Sequence, residues 1–239
     1  MACAAQIATG LATLWLASGG DPDSNKLVIG TEDSFPPYVM RDDQGQLSGF
    51  EYEVMTEICR RTAKECEWQT APFSALIPGV SEGRFDVVLG GLAITPERRV
   101  MVEFTIPYTW SDEEEWFIGF PGAPAPQEAS IAVERGTIHE AWLRDQRLDY
   151  QSLDGEAEVL EAVRSGKADL ALGPFAWRED LEQQIRDSGL DYVFSAEIPD
   201  EGTGMAFCKG NLTLKKALDG AITDMTADGT LAGLNARWF

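Results

Sequence analysis

RFDVVLGGLAITPERR, residues 84–99, decides the fold. Val87, Val88 and Leu89 form an unbroken apolar run, the pattern of a strand covered on both faces in a parallel sheet. Gly90 and Gly91 end the run. Thr95, Pro96 and Glu97 then make a helix start, with a hydroxyl cap and a proline at the first helical position. Strand, glycine loop and helix in this order are one unit of an α/β sheet. Arg98 and Arg99 fall in the first turn of that helix, where the positive end of the backbone dipole disfavours a cation. A negatively charged partner at the helix start would reverse that balance, and the carboxyl end of a strand is where open α/β sheets bind ligands. An Arg fork suits a carboxylate, held by two parallel charge-assisted hydrogen bonds.

Working outward, KLVIGTE (26–32) is an apolar strand with a polar tip, and DSFPPYV (33–39) is a proline-stiffened loop rich in aromatics. A hairpin turn, a helix over 51–61, a strand CEWQTA (66–71) and a short helix FSALIPGVSEG (73–83) lead into the opening stretch. After VEFTIPYTW (102–110) the character changes to an acidic run and a proline-rich loop. A second α/β series follows: SIAVERGT, the helix IHEAWLRDQ, LDYQSL, the helix GEAEVLEAVRSG and ADLALG. GKADLALG (166–173) echoes GRFDVVLG (83–90), each following a helix that ends near glycine. The pattern predicts two lobes of similar build, and the C-terminal stretch adds a strand and two helices that return to the first lobe.

The chain has 239 residues, 44% of them hydrophobic, enough to bury one or two cores. With 40 acidic and 19 basic residues the net charge is -21, and the scattered Lys and Arg exclude a phosphate-binding basic face, so no nucleic-acid partner is expected. Residues 1–25 read as a signal-like apolar segment and a polar tether, with Cys3 as an alternative lipid-bearing cysteine. One histidine leaves little scope for a Ser/His/Asp triad, and neither HExxH, CxxC nor a phosphate loop occurs, so no catalytic residue, metal or cofactor is assigned. The acidic run 112–115 reads as a solvated loop, because consecutive acids make a poor cation cage. Cys59 and Cys66 would lie ~10 Å apart on one continuous helix, so a bridge between them needs the helix to end first. A turn at residues 63–65 would allow it; two buried thiols are the alternative.

VIGTEDSFPPYVM, GQLSGFEYEVMTEICRR, FSALIPGVSEGRFDVVLGGLAITPERR, VEFTIPY, VERGT, EAVRSGKADLAL and GTGMAFCKGN…ADGTLAGLNARWF follow one another in an order that covers nearly all of 26–239. In that order and spacing the chain resembles the family 3 solute-binding proteins of bacterial ABC transporters, the polar amino acid binding family. The resemblance implies a two-lobed periplasmic binding protein fold of type II, two α/β lobes joined by a two-crossing hinge near 108–115 and 196–203. Lobe 1 would take 26–110 and the return segment 199–239, and lobe 2 would take 111–198. It also implies a periplasmic monomer that closes over a small carboxylate-bearing solute in an interlobe cleft and delivers it to an inner-membrane permease. A Cys59–Cys66 disulfide is implied as well.

The same resemblance gives Arg98 the ligand carboxylate, with Arg99 a solvated neighbour. Phe35, Tyr38 and Phe73 match or adjoin the aromatics that sandwich the ligand, although each also reads as core. Glu32 ends the first strand where the family often reaches a cationic side chain; by itself it is equally a loop acid. The family often carries hydroxyl residues where this chain has Gly90, Gly91 and Ala93, which leaves main-chain groups and extra room. In the second lobe Thr137 and Ile138 follow Gly136 at the other carboxylate contact, and Ile138 can give only its N–H. His139, the sole histidine, reads either as a solvated first-turn residue or as a hydrogen-bonding partner of the ligand.

Pro174 is the informative departure, because members that bind α-amino acids usually have there the aspartate that takes the ammonium. A buried ammonium without a counter-charge is costly, so either another acid substitutes, Glu32 being the nearest candidate, or the ligand lacks that group. A cyclohexadienyl dehydratase-like enzyme on the same fold and a ligand-sensing domain without transport are the alternative functions. The first needs a general acid where Pro174 and Phe175 stand.

Overall fold

The computed structural model describes residues 25–110, 114–176 and 178–239. The signal-like segment with Cys3, the tether before residue 25, and Asp112 and Glu113 of the acidic run lie outside the described residues. The chain divides into two compact units. Unit 1 takes the described residues up to Ala71 together with Ala75–Trp110 and Glu201–Phe239; unit 2 takes Pro72–Ser74 and Ser111–Asp200.

In chain order unit 1 begins with β1 (Lys26–Thr31), β2 (Ser34–Phe35), β3 (Val39–Arg41), β4 (Leu47–Ser48), α1 (Phe50–Arg61) and β5 (Glu65–Thr70). A 3-10 turn (Phe73–Ala75), whose first two residues fall in unit 2, then α2 (Leu76–Ser81), β6 (Val87–Val88), α3 (Pro96–Met101) and β7 (Glu103–Phe104) follow. Unit 2 contains β8 (Glu115–Gly119), β9 (Ile131–Glu134), α4 (Ile138–Gln146), β10 (Tyr150–Leu153), α5 (Glu156–Arg164), β11 (Leu170–Gly173), α6 (Glu179–Asp187) and β12 (Asp191–Ala196). The chain returns to unit 1 with β13 (Ala206–Phe207), α7 (Leu212–Ala227) and α8 (Thr230–Trp238).

The two main sheets share one plan. Their strand orders are β5-β1-β6-β13-β7 and β10-β9-β11-β8-β12, and in each the first three strands run parallel. β13 is antiparallel to β6 and β7, as β8 is to β11 and β12. In both sheets the first strand of the βαβαβ run lies between the second and the third. The chain therefore reverses its course across the sheet at β1/β6 and at β9/β11, the switch points where loops part and leave a crevice at the strand ends. A small β2-β3-β4 sheet completes unit 1.

The sequence echo has a physical cause in this plan. Asp86 donates its N–H to the Val28 carbonyl and accepts the Val28 N–H on its carboxylate, each at 2.8 Å. Asp169 does the same for Ser130, with 2.9 Å from its N–H and 2.8 Å to its carboxylate, which also accepts the Ser130 hydroxyl at 2.7 Å. Each aspartate thus clamps the strand beside it. In unit 2 alternate residues of the strands feed both faces: Ile131, Val133, Leu170 and Leu172 pack with Leu143 of α4, while Ala132 and Ala171 pack with Val159 and Val163 of α5.

The strand expected over 84–91 forms only two ladder residues, because Gly90 and Gly91 at φ 142° and 62° turn the chain away. Val87, Val88 and Leu89 are nevertheless fully buried, as their apolar run requires. Between Cys59 and Cys66 the helix does end: Thr62 is its C-cap, Ala63 takes φ 51°, and Lys64 donates its N–H back to the Cys59 carbonyl. The turn brings the two Cα atoms to 6.0 Å and the cysteines are joined in a disulfide.

Candidate functional site

In unit 1 the site is built on the carboxyl ends of β1 and β6. Thr95 caps α3 as the sequence indicates, its hydroxyl accepting the Arg98 N–H at 3.2 Å. That N–H is occupied by the cap, so any role of Arg98 beyond the helix falls to its guanidinium. Arg98 is 8% exposed, and its Nη1 donates to the Ala93 carbonyl at 2.7 Å, which holds the fork against the loop that follows β6. Arg99 is exposed and pairs with Glu201 at 3.0 Å.

The glycine loop is held from below. Gly91 donates its N–H to Glu51 Oε2 at 2.9 Å, and the Tyr108 hydroxyl donates to Glu51 Oε1 in a very short hydrogen bond. Glu51 is wholly buried, and burial pushes its carboxyl up to about 7 against the opposing pull of the Tyr108, Gly91 and Gly90 donors. Burial, with the Glu51 charge beside it, also holds the Tyr108 phenol well above its usual range, so it stays a donor.

Above the loop, a Cβ on Gly91 would stand 2.5 Å from the Phe35 ring, and one on Gly90 would stand 3.4 Å from Glu32 Oε1. Unit 1 therefore gathers Glu32, Phe35, Gly90 and Gly91 by direct approach, and Ala93 ties Arg98 to the same loop. Phe35 is half-buried and stacks on Tyr38 at 5.3 Å. Tyr38 itself is 7% exposed and meets Phe50 and Phe239 edge-on, so its ring belongs to the core that supports Phe35. Phe73 opens the 3-10 turn and is half-buried.

In unit 2 the corresponding loop follows β9. Thr137 caps α4: its hydroxyl accepts the Glu140 N–H at 3.2 Å and donates to the Glu134 carbonyl at 2.8 Å. Glu140 reaches back to the Gly136 N–H at 2.6 Å and also accepts from Ser152 in a very short contact. This is a reciprocal cap of the capping-box kind, and it uses the Thr137 hydroxyl within the protein. Ile138 is the first residue of the helix.

The solvated reading of His139 is overturned. The residue is 4% exposed, because it lies one turn from the buried Leu143 on the inner stripe of α4. Its Nε2 is 3.2 Å from Glu115 Oε2, within ion-pair reach, yet neither ring nitrogen has hydrogen-bond geometry to any group. An N–O pair at good distance and poor alignment contributes little.

Pro174 ends β11, and Phe175 beside it is 1% exposed in the core under α5 and α6. Four charged residues that the sequence reading passed over lie near this point. Arg178, 2% exposed, grips Asp180 with two bonds of 2.7 and 2.8 Å and Glu156 with one of 2.9 Å. Burial raises the Glu156 carboxyl while the Arg178 charge pulls it down. Glu134, at the tip of β9, is pushed up to about 7 by burial and by Glu156, against the pull of Arg178. Glu134, Thr137, His139, Glu156, Gly173 and Pro174 line a cavity of ≈ 10 Å³. Among the described residues no group of acids, histidines and cysteines is placed to hold a metal ion.

The sequence carried a signal for two of the residues missed. Glu51 shares a helical stripe with Val54, Met55 and Ile58, all buried, so it is an acid on an apolar face. Glu134 closes SIAVE as Glu32 closes KLVIGTE, the same position at the tip of the first strand in each series.

Comparison with known proteins agrees with this architecture. Residues 27–122 match the family model described as bacterial extracellular solute-binding proteins, family 3. A probable ABC transporter arginine-binding protein of Chlamydia trachomatis is 30% identical over 237 residues, spanning 93% of this chain and 89% of its own. The L-cystine-binding protein of Escherichia coli is 29% identical over 220 residues, spanning 89% and 82%. Among solved structures, an ancestral arginine-binding protein bound to arginine has a TM-score of 0.80 at 25% identity, over 90% of this chain and 98% of that one. The fold is the type II periplasmic binding protein fold that the ordered motifs imply, and the chain belongs to the bacterial extracellular solute-binding proteins of family 3.

Proposed function

We propose that this protein is the extracytoplasmic receptor of an ABC importer and captures a small carboxylate-bearing solute of the amino acid class. The observation that carries the reading is Arg98: a nearly buried guanidinium, braced by the Ala93 carbonyl at the carboxyl end of β6, beside a glycine loop that a buried carboxyl pins in place. A fork so placed receives a carboxylate with two charge-assisted bonds and little loss of its own freedom. The names of the relatives, arginine- and cystine-binding proteins of the same family, support an amino acid ligand.

In this reading Phe35 and Phe73 cover the body of the ligand, and Tyr38 backs Phe35. Gly90, Gly91 and Ala93 leave room for the ligand, the Gly90 and Gly91 N–H groups being held by Glu51 and the Ala93 carbonyl by Arg98; Glu32 meets a distal polar or cationic group, and the N–H of Ile138 adds a donor from unit 2. Residues 26–110 and 199–239 act as one lobe and 111–198 as the other. The ligand binds one lobe first and stabilises the closed form by its extra contacts there, a shift of population set by differential affinity. Location in the periplasm follows from the family, with the N-terminal segment as an export signal or Cys3 as a lipid anchor, and the partner is an inner-membrane permease served by a monomer. Catalysis is no part of the proposal: at 174–175, where a dehydratase would need its acid, stand a proline and a core phenylalanine.

A thermal-shift screen of amino acids and small organic acids against purified protein, followed by titration of the best, tests the reading. Arg98→Ala should weaken carboxylate ligands by about a hundredfold or more while the ligand-free protein still unfolds cooperatively. Arg98→Lys, which keeps the charge and loses the fork, should recover only part of the affinity. Undiminished binding by Arg98→Ala would remove the residue from the site.

A further inference from the structure

The carboxylates around Pro174 outnumber the cations. Arg178 is spoken for by Glu156 and Asp180, through three bonds of 2.7 to 2.9 Å. The side chain of Glu134, on the same cavity as Glu156, makes no hydrogen bond or ion pair, although the Arg178 charge acts on it from farther off. A half-buried carboxyl in this state takes up a proton more readily, and its charged form is favoured again when a positive group joins it.

A second, independent observation lies on the same wall. His139 lines the cavity, is 4% exposed, and has neither ring nitrogen hydrogen-bonded. A neutral imidazole always keeps one nitrogen as an acceptor. The cavity thus brings together a carboxyl and an imidazole that make no hydrogen bond, the imidazole Nε2 lying 3.2 Å from Glu115 Oε2. Both want a donor, and one of them wants positive charge.

The size of that space limits the guest. A volume of ≈ 10 Å³ is about that of one water-sized group, a size that an ammonium nitrogen matches. A metal ion is disfavoured, because no set of three suitable ligands converges among the described residues.

We infer that Glu134 and His139 of unit 2 form a subsite for an ammonium group of the ligand, in place of the carboxylate that Pro174 does not supply. Glu134 accepts two of the ammonium hydrogens and the imidazole a third, while Arg178 keeps Glu156 and Asp180 out of the contest. The inference deepens the function proposed above and rests on it. It moves the choice between amino acids and plain carboxylic acids from position 174 to the tip of β9.

Titration calorimetry of the full chain with three matched pairs tests it: L-arginine with guanidinovaleric acid, L-glutamine with glutaramic acid, and L-histidine with imidazolepropionic acid. The wild type should prefer at least one amino acid over its deaminated partner by tenfold to about a hundredfold, the range of a charge-assisted bond. Glu134→Gln should erase most of that preference while binding of the deaminated acid changes by less than about threefold, which also certifies the fold of the variant. The two readings fail differently. If none of the six probes binds the wild type, the functional proposal falls and this subsite with it. If they bind without preference for the ammonium, or if Glu134→Gln leaves the preference intact, the subsite alone is overturned.

Discussion

Glu51 shows how a single residue can be structural in placement and functional in effect. It lies on the buried stripe of α1, yet its two oxygens accept from Tyr108 and from the Gly91 N–H, which sets the loop that Phe35 and Glu32 overlie. Burial pushes its carboxyl up to about 7 in the folded chain, from the ordinary 4.5 of an exposed glutamate. The folded protein therefore holds the proton more tightly than the unfolded one between these values. The stability from this group is fully present below the unfolded value and is lost as pH rises through about 7, a change of about 3 kcal/mol. Urea denaturation of wild type and Glu51→Gln at several pH values between about 4 and 8 checks this, and the amide variant should lose that part of the decline. Parallel curves for the two proteins would show that Glu51 is not the titrating group. Arg98 was legible because its type conflicts with the helix start around it. Glu51 was not singled out, because an acid in the first turn of a helix is ordinary until the partners on its inner face are known.

At the scale of elements, each series places an aspartate before the third strand of its sheet, and each aspartate exchanges two backbone-directed bonds with the neighbouring strand. These bonds set register where the ladder is short; β6 has only two paired residues and depends on the clamp. Asp86→Ala should lower stability by about 1–2 kcal/mol, the cost of leaving a strand N–H unmatched, and Asp86→Asn should cost less because it keeps an acceptor. Asp169→Ala, at a more exposed site, should cost less than Asp86→Ala. Thermal melts of the three variants decide it, and a neutral Asp86→Ala would refute the clamp. The order of strands and helices was readable from alternating apolar runs and glycine ends. The length of β6 was not, since it depends on the φ values of Gly90 and Gly91 rather than on hydropathy.

At the scale of the whole molecule the dominant feature is charge. With 40 acidic residues against 19 basic, repulsion summed over the surface outweighs the exposed ion pairs, each worth little. Lys26–Glu67 and Arg60–Glu57 are of this exposed kind. Added salt screens both, shrinking the Debye length from ~30 Å at 0.01 M to ~3 Å at 1 M, and the larger repulsive sum should win. The melting temperature should therefore climb between low and high sodium chloride, and a fall would mean that local pairs outweigh the net charge. Family membership belongs to this scale too, because it comes from seven motifs in order and not from any one of them.

By itself the sequence left open whether Cys59 meets Cys66, but it determined the α/β class, the two series and the capped helix that carries Arg98. These are local matters of periodicity, capping and turn chemistry, all within a few residues. Only the tertiary structure decided which polar residues are buried and what they face: Glu51 beneath the glycine loop, His139 turned inward, Arg178 committed to two acids, and Glu134 left with its carboxylate unpaired. Burial and pairing join residues far apart along the chain, and they alter charge and proton affinity in ways that no neighbouring residue announces.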